Sequence, residues 1–340
     1  METITLPEPV DFPQYTWRPL AEGDAAGLHR LAQANWQVDG LESVQPVAEI
    51  EHMMGLILGG EIKAGTLLAW TEAGEIAASV FAFLLPGQTE HRVNVGGSVH
   101  VAHRRQGLGH FLLAWAEAWA RRQLAAFDDD LPRRLETGCR DHQTDHIMLF
   151  EEMGFRPARY FFQMERDLAQ PIPEKRLEPG LTLANWTPEL DEAVRAAFND
   201  SFRDHWGFFP VDETLWPAFT GKPDFRGDLS PLALEGDGRF DKLNASRVIG
   251  FCLCSVSEER NAQTGKRVGV MDEIGVIRGW RQRGIASALI TAAMRAFREE
   301  GLAYAKLGVD TENPTGALRL YENLGFYSVR RSIAFHKTLG

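Results

Sequence analysis

Val276-Ile-Arg-Gly-Trp-Arg-Gln-Arg-Gly-Ile-Ala286 decides how the rest of this chain is read. An apolar run ends at Val276. A short basic loop follows, then Gly284, then a long amphipathic segment free of proline. Such a loop leaves backbone N–H groups unpaired where a helix begins, and the helix dipole adds partial positive charge there. Gly284 lets the backbone approach a bulky anion, and Arg281 and Arg283 add charge. The expected structure is a phosphate or pyrophosphate cradle.

The same pattern stands earlier in the chain. Val99-His-Val-Ala-His-Arg-Arg-Gln-Gly-Leu-Gly109 aligns with it without a gap, at a constant offset of 177. Arg104 pairs with Arg281, Gly107 with Gly284 and Val99 with Val276. A single Arg-x-x-Gly-x-Gly/Ala is weak; a second copy in the same strand, loop and helix context is much stronger. Phe150-Glu-Glu-Met-Gly-Phe155 likewise aligns with Tyr321-Glu-Asn-Leu-Gly-Phe326 at an offset of 171, and a longer first-copy loop around Asp128 to Arg134 accounts for the change.

Both loops resemble the acetyl-CoA-binding loop of the GNAT superfamily of N-acetyltransferases, Gln/Arg-x-x-Gly-x-Gly/Ala. The resemblance covers nearly the whole chain as two copies. It implies two tandem domains of mixed α/β fold, each a mostly antiparallel sheet flanked by helices, with two neighbouring strands splayed. It also implies acetyl-CoA as co-substrate, its pyrophosphate held by loop amides. In this chain the cofactor contacts would be Ile274, Gly275, Val276, Arg281, Gln282, Arg283, Gly284, Ile285 and Ala286, with Asn313. The first copy would offer Arg104, Arg105, Gln106, Gly107, Leu108 and Gly109.

Composition agrees with a globular enzyme of this kind. The 340 residues fit two domains, each long enough to bury a core, at 44% hydrophobic and 24% charged. A net charge of −11 argues against nucleic acid or an anionic membrane as partner, and a cytoplasmic monomer or homodimer is expected. The first residues show no secretory pattern, and no apolar run approaches a membrane span. Cys139, Cys252 and Cys254 read as buried thiols in a reducing compartment, and no metal site is expected.

Residues 167–180 hold three prolines and no apolar periodicity. They divide the chain into 1–166, a linker, and 181–340. The first part is expected to close on a strand at Arg159 to Glu165, the second on a strand at Ser332 to Lys337. In the first helix after a cradle, Leu108, Phe111, Leu112, Trp115 and Trp119 share one face, as a core-facing helix requires.

Acetyl transfer to an amine needs an oxyanion donor, a base for the amine proton and an acid for the departing thiolate. The resemblance implies Glu273 as base, three residues before Val276, with Asp272 on the opposite strand face the lesser candidate. It implies Tyr321 as acid, since a phenol keeps its proton at neutral pH. Asn313, in Asp310-Thr-Glu-Asn-Pro314, matches a cofactor-binding asparagine, with Pro314 near the next helix start. His205 and Trp206 fall where the family contacts its acceptor.

The first copy departs at all three positions: Gly96 for Glu273, Phe150 for Tyr321 and His142 for Asn313. His103, His142 and His146 could supply a substitute base. The expected activity is acetyl transfer to a primary amine of a small molecule, with chemistry in the second domain. The alternatives are a peptide or protein N-terminal acetyltransferase and a CoA-binding regulator without turnover.

Overall fold

The computed structural model describes residues 4–236, 247–313 and 316–339. In chain order the first elements are β1 (Thr16–Arg18), α1 (Ala25–Trp36), α2 (Val47–Gly59), β2 (Ala64–Trp70), β3 (Ile76–Pro86) and β4 (His91–Val99). Then come α3 (Leu108–Leu124), β5 (Arg133–Arg140), α4 (Thr144–Glu152) and β6 (Arg156–Asp167). The order restarts with β7 (Leu181–Asn185), α5 (Asp191–Phe202), α6 (Pro217–Thr220), β8 (Pro231–Glu235), β9 (Val248–Ser255) and α7 (Glu258–Thr264). It ends with β10 (Val268–Val276), α8 (Ile285–Glu299), β11 (Tyr304–Asp310), α9 (Ala317–Asn323) and β12 (Tyr327–Thr338). The last helix thus begins after Pro314 and Thr315, which lie outside the described residues.

Two compact units result. One takes the chain up to Tyr160 together with Ser332 onward; the other is Phe161–Arg331. In the first unit, β1, β2, β3 and β4 are neighbours in antiparallel pairs, β4 runs parallel to β5, and the end of β12 pairs antiparallel with β5. In the second, β7, β8, β9 and β10 repeat the antiparallel run, and β10 is parallel to β11. The end of β6 pairs antiparallel with β11.

The closing strands therefore differ from the expected partition. Phe161 to Asp167 registers on Asp310 to Tyr304 in the second unit, and Ser332 to Thr338 registers on Arg140 to Arg134 in the first. Each unit takes its last strand from the sequence of the other copy. The physical reason is that the two segments have similar apolar alternation and occupy corresponding places. Each therefore satisfies a bare parallel-strand edge equally well.

The cores follow the helical periodicity. On α8, Ile285, Leu289, Ala293 and Phe297 recur four apart and are essentially inaccessible to solvent. A Cβ on Gly269 of β10 would come within 2.6 Å of the Phe297 ring, so the glycine lets that ring lie against the sheet. On α3, Leu108, Leu112, Trp115 and Trp119 are buried, while Phe111 is partly buried and packs at the edge of the same cluster. Burial of each such large side chain stabilises the fold by about 1.5–3 kcal/mol.

Candidate active site

The site of the second unit is made by two neighbouring strands that stop pairing. β10 and β11 register only over Val268 to Met271 with Tyr304 to Leu307. Beyond that point Asp272 to Val276 and Gly308 to Asp310 line a cavity of about 840 Å³. Gly308 has open space where a Cβ would stand.

On its other side β10 carries a bulge. Met271 faces Cys254 and Glu273 faces Leu253, so Asp272 has no partner opposite. A bulge inserts one residue, increases local twist and re-aims side chains. Strict alternation would send Asp272 and Glu273 to opposite faces, as the sequence reading expected. Instead both line the same cavity.

Glu273 is half-buried and makes no hydrogen bond or ion pair among the described residues. Its carboxyl is pushed up to about 8, first by desolvation and then by the adjacent Asp272 carboxylate, while Lys222 draws it down. Asp272 is also raised by desolvation, against the pull of Lys222 and a hydrogen bond with Ser255. Across the cavity stands Tyr321 on α9, 7% exposed, its ring edge-on to Phe326 with centroids 6.1 Å apart. Burial, then proximity to Cys252 and Glu273, raises its phenol above the ordinary range, so it is protonated at neutral pH.

The cradle closes the other end. Gly284 caps α8 at φ +77°, and Gln282 precedes it at φ +63°. The amides of Gln282, Arg283 and Gly284 have no backbone acceptor among the described residues. With the first-turn amides of α8 they form a concavity of unpaired backbone donors, a geometry suited to an anion. No atom lies within 4 Å of where a Cβ on Gly284 would stand.

The arginines do less here than their charge suggested. Arg281 donates through Nε to Val276 O at 3.3 Å and through a terminal nitrogen to Ser201 O at 2.7 Å, and it lies 3.4 Å from Asp204. It braces the loop against α5. Arg283 lies over the Trp280 ring and pairs with Glu178 at 3.0 Å. Gly275 also has a packing reason: a Cβ there would meet Phe251 at 2.3 Å.

The remaining expected residues are partly gathered. Asn313 and His205 line the cavity, as do Ile274, Val276, Ile285 and Ala286. His205 packs edge-on to Phe202 at 4.5 Å, and its imidazole is lowered by desolvation and by Arg281. Trp206 is not in the wall; it stands 6.2 Å from the ring of Phe161, which is. Phe161, Ser201 and Lys222 escaped the sequence reading. No local signal marks Phe161 as part of this site, because it arrives on the closing strand read as the other unit's.

The first unit has the same frame and a different wall. β4 and β5 pair only over His91 to Asn94 with Arg133 to Glu136, and a cavity of about 640 Å³ opens beyond. Gly107 caps α3 at φ +88°, with Arg105 at φ +62°. Arg105 and Gln282 are the two non-glycine residues at positive φ among those described, and they occupy equivalent places. Arg104 donates to Val99 O at 3.1 Å and holds Asp39 with two hydrogen bonds of 2.7 and 2.8 Å. Leu108 turns into the core, and Gln106 accepts a 3.4 Å hydrogen bond from Tyr15.

Gly96 and Phe150 line this cavity. Of the three histidines only His146 joins them, and desolvation lowers its imidazole. His103 shares a 2.9 Å hydrogen bond with the Tyr15 hydroxyl, and His142 bonds Asp39 O at 3.1 Å. Among the described residues no cluster of three or more acidic, His or Cys side chains is placed to hold a metal ion. No helix among them is long and apolar enough to cross a membrane.

Comparison with known proteins agrees with this geometry. A family model described as Acetyltransferase (GNAT) family matches residues 27–155 and again 192–326. A mycothiol acetyltransferase of Thermobispora bispora is 29% identical over 313 residues, spanning 89% of this chain and 92% of its own. Another of that name from Nocardia farcinica is 26% identical over 329 residues, 94% of this chain and 96% of its own. The crystal structure of a GCN5-related N-acetyltransferase from Sphaerobacter thermophilus aligns at TM-score 0.65 and 28% identity, covering 98% of this chain and 97% of that one. A tandem GNAT protein from the clavulanic acid biosynthesis pathway shares the fold at TM-score 0.66 and 13% identity, covering 96% of this chain and 99% of that one.

Proposed function

The chain belongs to the acetyltransferase (GNAT) family, as an acetyl-CoA-dependent N-acetyltransferase, and on that premise we propose that its second unit acetylates a primary amine of a small molecule. The observation that carries this reading is that Glu273, Tyr321, Gln282 and Gly284 line one cavity, the last two with amides that have no backbone acceptor among the described residues. The cradle fits a pyrophosphate: its amides are unpaired, its glycine is open on one side, and a helix dipole points into it.

In the proposed reaction Glu273, once ionised, takes a proton from the bound ammonium. The freed nitrogen attacks the thioester carbonyl, forming a C–N bond as the C–S bond breaks. Tyr321 donates its phenolic proton to the departing sulfur, and the second proton leaving the acylated nitrogen restores the phenol. Beyond Met271 β10 no longer pairs with β11, which leaves strand backbone free to face the oxyanion. Ile274, Gly275, Val276 and Asn313 flank the cofactor, and His205 faces the acceptor, with Trp206 supporting the Phe161 wall.

A carboxyl at about 8 is mostly protonated at pH 7. Rate therefore rises with pH through that value, as the carboxylate form accumulates. An aromatic and imidazole wall of Phe161, Phe202 and His205, and relatives named mycothiol acetyltransferase, favour a compact acceptor over a polypeptide. Cys139, Cys252 and Cys254 are free and buried, which suits a reducing, cytoplasmic setting.

A screen of small primary amines and N-terminal peptides, with acetyl-CoA and detection of released thiol, tests the proposal. Small amines, amino sugars among them, should turn over faster than any peptide. A peptide outrunning every small amine would overturn it.

A further inference from the structure

The bulge in β10 creates an electrostatic problem. It leaves two adjacent acidic residues, Asp272 and Glu273, lining one cavity. If both are charged they oppose each other, and the one meant to accept a proton holds its own proton too tightly. Lys222 lies beside this pair without lining the cavity. Its Nζ is 3.1 Å from an Asp272 carboxylate oxygen, and both side chains are about a quarter exposed, at 25% and 26%.

Lys222 is held in place by backbone. Gly221 N donates to Pro217 O at 2.9 Å, and Phe225 N donates to Lys222 O at 3.1 Å. Asp224 O accepts from Val256 N, and Arg226 N donates to Cys254 O, both at 2.9 Å. Phe225 also bridges to Ser255, the residue whose hydroxyl reaches Asp272. The turn 221–226 is thus laced to the end of β9, and its lysine has a fixed origin over the bulge.

We propose that Lys222 is a positioning residue for the acetyl transfer: its ammonium holds Asp272 in the bulge and sets the charge beside Glu273 on which proton acceptance depends. The proposal rests on the reading of Glu273 as the base.

The groups around Glu273 support it. Asp272 of β10 and Lys222 of the turn act on it, Tyr321 of α9 feels its charge alongside Cys252 of β9, and Asp224 of the turn acts on Asp272. The far walls carry Asp204, His205, Arg281 and Asp310. Arg281 is already committed to Asp204 and Ser201 O. Of these groups Lys222 is the one that lowers the Glu273 carboxyl, and Asp272 the one beside it that raises it. The first unit has Val95 and Gly96 at the corresponding strand positions, in unbroken register, and so has no such pair to balance.

The test reads Glu273 directly. The full chain is labelled with glutamate carrying ¹³C at Cδ, and the Glu273 resonance is identified by its loss in Glu273→Gln. Its titration midpoint is then followed in each variant, without any acceptor. Lys222→Gln should raise the midpoint by about half a pH unit or more, roughly threefold in the equilibrium, and Asp272→Asn should lower it. Lys222→Arg should restore the wild-type midpoint. Opposite signs from the two neutralising changes cannot come from general loosening of the fold, so a poorly folded variant cannot imitate the result. A midpoint unmoved by Lys222→Gln, or moved the same way by Asp272→Asn, overturns the proposal.

The pH profile of kcat/KM for the fastest amine separates the two readings. If the Glu273 midpoint moves in the variants and the kinetic inflexion moves with it, both stand. If the midpoint moves while the inflexion persists in Glu273→Gln, the base is another group and the positioning role of Lys222 falls with it.

Discussion

Gly107 and Gly284 open their helices at φ +88° and +77°, and Arg105 and Gln282 stand two residues earlier at +62° and +63°. The two cradles therefore have one backbone. The strands that feed them do not. β4 registers on β3 without a break from His91 to Val99, whereas β10 breaks its register on β9 at Asp272. An anion site built from amides tolerates any side chain that accepts the backbone. A proton-transfer site does not, because it needs a carboxylate aimed and desolvated at one point. The first unit keeps the frame and has Gly96 and Phe150 where the second has a carboxylate and a phenol.

The largest expected effect separates the chemistry of the two units. Tyr321→Phe should lower kcat by about 10²-fold with little change in acetyl-CoA affinity, since it removes a proton donor and leaves the cradle. Tyr321→Phe combined with Glu273→Gln should leave no turnover above that baseline, measured by steady-state thiol release. Substantial activity in the double variant, abolished by Gly107→Val, would assign the reaction to the first unit and reverse the comparison.

A smaller effect concerns the cradles alone. Gly284→Val forces a β-branched residue to φ +77° and fills open space in front of the amides. Acetyl-CoA affinity by calorimetry should fall by about tenfold, roughly 1.4 kcal/mol. The same change at Gly107 should leave turnover intact, and the heat of binding then counts the sites: two per chain if the first cradle also binds, one if it does not. Unaltered affinity in Gly284→Val would place the pyrophosphate elsewhere.

The smallest effects are on stability. Gly275→Ala would press a Cβ to 2.3 Å from Phe251 and should cost about 1–3 kcal/mol, seen in the chemical denaturation midpoint. Gly96→Ala meets no atom within 4 Å and should stay within about 0.5 kcal/mol of wild type. Equal costs at the two glycines would mean that the second strand is no more tightly packed than the first.

Much of this was legible in the chain itself, because the repeat carried it. Two aligned cradles announced two units of one fold, and the position of Glu273 and Tyr321 in the second copy announced the pair that faces the cavity. Three features were not legible. The alternation of a regular strand puts Asp272 opposite Glu273, and only the bulge, which has no marker in Met271-Asp-Glu-Ile274, brings them together. The charge of Arg281 suggested a phosphate ligand, but its guanidinium is claimed by the carbonyl of Val276 and by that of Ser201, on a helix the motif does not include. Phe161 and Ser332 head segments with local patterns that specify a strand and say nothing of which edge will accept it.

That last feature sets an order of events during synthesis. The second unit has all of its strands once the ribosome has released the chain to Arg331. The first unit, though translated earlier, lacks its edge partner until Ser332 to Thr338 emerges. Arg134 to Arg140 on β5 is an open template for strand addition from its own synthesis until residues 332–338 follow, and the first unit completes its sheet after the second. A ribosome that stalls short of residue 332 releases a chain with that edge uncapped, and a bare edge recruits other chains.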